Sequence, residues 1–62
     1  MAIRYTGDGN GFAIMAYCKR LIQQENLGDV SQYFTEATES DYNNLLDVSS
    51  RWTGVDFGAY YE

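Results

Sequence analysis

The sequence predicts an α+β domain: a short N-terminal strand, three helices, and a C-terminal strand that pairs with the first. Three observations lead there. AIRYT at residues 2–6 alternates and carries β-branched and aromatic side chains. Apolar residues then recur at three- and four-residue steps through much of residues 12–52. Val55 and Phe57 alternate again near the end. The alternative arrangement is a small all-α three-helix domain with irregular ends.

In the first strand, Ile3 and Tyr5 share a face. GDGNG at residues 7–11 is a cluster of turn residues. Its glycines permit a tight reversal, and Asn10 or Asp8 supplies a side-chain oxygen to the free N–H groups of the following helix. From Phe12 the pattern is helical, with Ile14, Met15, Cys18, Leu21 and Ile22 able to face a core. Asn26-Leu27-Gly28 ends that helix. Asp29 caps a second helix, with Gln32 in capping-box position. Val30, Tyr33, Phe34 and Ala37 form its apolar stripe.

Thr38 or Ser40 caps a third helix, in which Tyr42, Leu45, Leu46, Ser49 and Trp52 share a face. Asp41 near its start and Arg51 near its end complement the helix dipole. The break at residues 38–40 contains neither glycine nor proline, so helices two and three merge or bend there as alternatives to separating. A lone two-stranded pairing is marginal in water. Residues 2–6 and 53–57 therefore need the helices to cover one face of their pairing.

At 62 residues the chain is one domain, residues 1–62, with room for one small core and none for a walled substrate cavity. Size favours a binding protein over an enzyme. Cys18 is the only cysteine and there is no histidine, which excludes a Cys–His nucleophile pair and leaves one of the several Cys or His ligands that zinc needs. Cys18 lies in an apolar helical stretch, as a small buried hydrophobe would. A single cysteine fits a reducing compartment. With no signal peptide or membrane-length apolar run, a cytoplasmic protein with no membrane partner is expected.

DGNG is also the centre of many calcium loops. Aligned that way, Asp8 takes position 3, Asn10 position 5 and Gly11 position 6. Thr6 then stands at position 1 and Tyr17 at position 12, where a bidentate glutamate belongs. A phosphate cradle needs the Lys and Ser or Thr of a P-loop, or a full G-x-G-x-x-G, and Phe12 stands where the last glycine would be. Weak calcium or anion binding at residues 6–12 is a remote alternative. No cofactor and no metal are expected.

The net charge of −5 is uneven. Residues 1–27 hold Arg4, Lys19 and Arg20 against Asp8 and Glu25, for +1. Residues 28–62 hold Arg51 against Asp29, Glu36, Glu39, Asp41, Asp47, Asp56 and Glu62, for −6. That half repels phosphate backbones, so direct nucleic-acid binding is disfavoured and a basic protein surface is the complementary partner. Six tyrosines suit both a small core and a contact surface. Exposed acids and aromatics, namely Glu36, Glu39, Asp41, Asp47, Tyr60 and Tyr61, are the expected partner-binding residues.

GNGFAIM running into a helix, and the later Ala37-Thr38-Glu39-Ser40-Asp41-Tyr42-Asn43-Asn44-Leu45-Leu46, together resemble small phage- and prophage-encoded proteins. Those show a Gly-Asn turn into an apolar helix and an A-x-S-G-D-Y-D-H-L-L stretch. The sequence departs from that stretch at Glu39-Ser40 and at Asn43-Asn44, where the usual Asp-His pair is absent. The resemblance covers most of residues 9–52 and implies no assigned activity. It suggests a non-enzymatic, phage-type factor that docks on a host protein with a basic surface and modulates or inhibits it. Mimicry of nucleic-acid charge, as in anti-defence inhibitors, is the sharper form. The alternative is a structural or assembly subunit forming a homodimer or larger homo-oligomer.

Overall fold

The computed structural model describes residues 3–61. Helix α1 spans Gly11–Glu25, α2 spans Val30–Ala37 and α3 spans Tyr42–Thr53, followed by one 3-10 turn at Gly58–Tyr60. The expected α+β class is corrected here. Among the described residues there is no strand, and the all-α alternative is the observed class.

The two ends do meet, but only through a single parallel bridge between Arg4 and Asp56. The Tyr5 N–H donates to the Asp56 carbonyl at 2.9 Å, and the Asp56 N–H donates to the Ile3 carbonyl at 2.7 Å. The ladder stops there for local reasons. Thr53 stays in α3, and Gly54, at φ 74°, ends that helix. Extended backbone therefore begins only at Val55, and by Gly58 the chain has coiled into the 3-10 turn. Tyr5 is buried while Ile3 is 65% exposed, so the two do not share a buried face. Ala2 of the expected strand lies outside the described residues.

The helix starts follow their caps. The Asn10 side chain accepts from the Phe12 N–H at 2.8 Å, and Asp29 accepts from the Ser31 N–H at 2.9 Å. At α3 the cap is Asp41, which accepts from the Asn44 N–H at 3.0 Å, and neither Thr38 nor Ser40 fills that role. Thr38 instead donates its hydroxyl back to the Phe34 carbonyl at 2.7 Å and closes α2. Gln32 makes no capping box: its amide donates to Glu36 Oε2 at 3.2 Å. Helix α1 ends on Asn26 in the left-handed region, φ 54°, a conformation asparagine tolerates better than most residues.

The core draws Ile14, Cys18 and Ile22 from α1, Tyr33 and Ala37 from α2, and Leu45, Leu46, Val48 and Ser49 from α3. Tyr5, Val55 and Phe57 close it from the two ends. Ser49 is the buried polar residue of this set, and its hydroxyl shares a 2.6 Å hydrogen bond with that of Tyr33. Burial raises the pKa of the Tyr33 phenol and of the Cys18 thiol, so both stay protonated at neutral pH. The domain measures 28 × 27 × 17 Å.

Candidate functional site

The turn that looked most like a site is consumed by the fold. Tyr60 donates its hydroxyl to the Gly7 carbonyl at 2.8 Å, and Tyr5 to the Asp8 carbonyl at 2.8 Å. Tyr42 donates to the Gly9 carbonyl. The next carbonyl, Asn10, accepts the Ile14 N–H at 3.0 Å as α1 begins. Asp8 Oδ1 accepts the Asn10 N–H at 2.9 Å. Three tyrosines from distant parts of the chain thus each donate to one of three successive carbonyls and tie the turn to the fold. Tyr5 anchors the arrangement, with its ring 5.0 Å from Tyr17, 5.1 Å from Phe57 and 5.4 Å from Tyr60. Among the described residues no three His, Cys, Asp or Glu side chains form a metal-holding group.

Open surface lies on either side of α2. Between α1 and α2 runs an apolar groove of about 410 Å³, lined by Phe12, Met15, Ala16, Lys19, Phe34 and Thr38. The first four stand at i, i+3, i+4 and i+7, a second stripe on α1 separate from Ile14, Cys18 and Ile22. Phe12 is 80% exposed although it is an aromatic residue in the first turn of a helix. Phe34 and Thr38 complete the opposite wall from one face of α2.

On the other side of α2 lies a cleft of about 300 Å³, lined by Leu27, Glu36, Val48, Arg51 and Trp52. The Trp52 indole N–H donates to Glu36 Oε1 at 3.0 Å, and Gln32 holds Oε2. The indole hydrogen bond, with help from Gln32, lowers the Glu36 pKa from its ordinary value of 4.5, so this carboxylate is ionised at neutral pH. The indole is fixed in turn. The Tyr33 ring meets it edge-on at 5.8 Å. At Gly28, φ 146°, a Cβ would lie 2.8 Å from the indole, so the loop crosses Trp52 at glycine.

The six residues expected to contact a partner fare differently. Glu36 is half-buried in the cleft. Glu39 and Asp41 are exposed, and Asp41 is also the α3 cap. Asp47 accepts the Tyr61 hydroxyl, and that bond pushes the Tyr61 pKa up to about 12. Tyr60 is tied to the Gly7 carbonyl and packs on Tyr5. The tyrosines are thus structural ties first, and the acids do not converge on one cavity.

Met15 and Phe34 were read from sequence as core-facing, and they do pack partly on the core, but no groove residue was singled out as a binding residue. The signal was present: α1 carries apolar residues on two stripes, and one small domain has room to bury only one.

No protein-family model, curated protein or solved structure matches the chain. Among the described residues, no helix is long and apolar enough to cross a membrane.

Proposed function

We propose that this chain is a small, non-enzymatic docking protein that seats a basic, amphipathic protein surface in the groove between α1 and α2. The observation that carries the proposal is the second apolar stripe of α1, where Phe12 is 80% exposed beside Met15 and Phe34, which the core covers only in part. Exposing such a ring is unfavourable in the free protein, and contiguous apolar surface of this kind marks interaction sites. Charge supports the choice of partner. The net charge is −5, and the exposed acids Glu39 and Asp41 follow Thr38, which lines the groove. Lys19 puts one positive charge in the groove's lining, so the acidic excess of the rest of the chain is what favours a partner that is basic overall and carries an apolar anchor.

The resemblance of residues 9–52 to small phage-encoded proteins supports a host protein as partner and the host cytoplasm as the place of action. Inhibition of a nucleic-acid-handling host protein through its basic surface is the sharper form of the same proposal.

The test is affinity capture, followed by titration of the purified captured protein against wild type, Phe12→Asp and Glu39→Lys. Saturable, salt-weakened binding that falls at least roughly tenfold in Phe12→Asp and less in Glu39→Lys is the expected result. Binding indifferent to Phe12→Asp would overturn the groove as its seat. A concentration-dependent dimer of the free protein that Phe12→Asp dissolves would assign the groove to a second copy instead.

A further inference from the structure

We infer that the cleft between α2 and α3 binds a small zwitterion of the α-amino-acid type, with an apolar side chain. This does not rest on the docking proposal, because the cleft lies on the other side of α2 from the apolar groove. Three features of the lining carry it. Glu36, whose carboxylate is held by two hydrogen bonds, and Arg51 line the same cleft and carry one charge of each sign. The remaining lining, Leu27, Val48 and Trp52, is apolar or aromatic. The volume of about 300 Å³ suits a ligand at the small end of the range for small-molecule sites.

The polar end is preorganised. Each Glu36 oxygen accepts one internal hydrogen bond, from Trp52 or from Gln32, and each keeps a further lone pair. An ammonium group can take those lone pairs without moving the carboxylate. Arg51 presents a planar fork suited to a ligand carboxylate. A purely cationic ligand would face Arg51 unpaired, and a purely anionic one would face Glu36. The zwitterion is the ligand that satisfies both. Its apolar side chain would then lie toward Leu27, Val48 and the indole.

Trp52 is the only tryptophan, so it reports on the cleft directly. Its fluorescence and its indole N–H resonance are followed during titration with leucine, phenylalanine, leucine amide and N-acetylleucine. Leucine or phenylalanine is expected to give a saturable change. The amide, lacking the carboxylate, and the N-acetyl compound, lacking the ammonium, should each bind roughly tenfold more weakly than leucine. Arg51→Met should erase the advantage of leucine over its amide, and Glu36→Gln its advantage over N-acetylleucine. Glu36→Gln keeps an oxygen for the indole N–H, and unchanged circular dichroism confirms that both variants fold. No saturable change in either signal would overturn the inference. Leucine amide binding as tightly as leucine would also overturn it, showing a cleft for cations alone.

Discussion

The turn at residues 7–10 and the surface beside α2 treat their interaction groups in opposite ways. In the turn, every backbone carbonyl is taken: Gly7, Asp8 and Gly9 by tyrosine hydroxyls, and Asn10 by the first helical N–H. Beside α2, two grooves open to the surface, one with the exposed Phe12 ring and the other with Glu36 and Arg51 in its lining. The turn has the composition of a ligand site and the hydrogen bonding of a structural joint. The α2 surface has the composition of an ordinary amphipathic helix pair and the exposure of a binding surface. Residue types nominate a site, but what those residues already hold together shows whether they form a joint of the fold or an open surface.

The largest expected effect comes from breaking the closed end. Phe57→Ala removes a fully buried ring that packs on Tyr5. A loss of about 3–5 kcal/mol is expected. That rivals the whole stability of a chain this size, at roughly 0.05–0.15 kcal/mol per residue, so thermal melting by circular dichroism should show an unfolded or barely folded protein.

Next is the tyrosine clamp itself. Tyr42→Phe leaves the part-buried Gly9 carbonyl without that donor and should cost about 1–2 kcal/mol in urea unfolding. Tyr60→Phe acts on an exposed bond and should cost less. Equal and negligible losses would mean that the hydroxyls do not hold the turn.

The acids of the second half separate in the same way. Asp41→Ala should cost about 1 kcal/mol as the loss of a helix cap. Glu39→Ala should change stability by no more than about 0.5 kcal/mol, because its side chain is exposed and does not cap the helix. Urea midpoints of the two variants compare them directly.

The smallest effect is alkaline. Tyr61, bonded to Asp47, has its pKa raised from 10.0 to about 12, and burial raises Tyr33 in the same direction. A folded pKa above the unfolded one means that the folded state holds the proton more tightly. The stability is then fully present below pH 10.0 and falls as the pH rises toward about 12. Tyr61→Phe should flatten part of that fall when stability is measured across this window.

The three helices were legible because their signals are local. Asn10 and Asp29 cap where their side chains predict, and the stripes through Ile14, Cys18 and Ile22 and through Leu45, Leu46 and Ser49 do reach the core. The terminal strands were misread because Val55 and Phe57 alternate for a different reason. They bury two side chains around the single bridge at Asp56 and never propagate a ladder. The α3 cap was placed up to three residues early because Thr38, Ser40 and Asp41 all have capping side chains, and only three-dimensional closure of α2 by Thr38 removes the first of them. The tyrosine clamp spans up to 53 residues of sequence, from Gly7 to Tyr60, and no local pattern announces such a bond. The apolar groove was legible in principle, at residues 12, 15, 16 and 19, but was masked by the stronger core stripe on the same helix.

The contrast between a closed turn and an open groove is tested most directly by mapping backbone and methyl chemical shifts during titration with a basic, amphipathic helical peptide. The expected map has its largest shifts at Phe12, Met15, Ala16, Lys19, Phe34 and Thr38, with Gly7 to Asn10 unmoved. Shifts centred on Gly7 to Asn10, or a groove that does not respond, would contradict it.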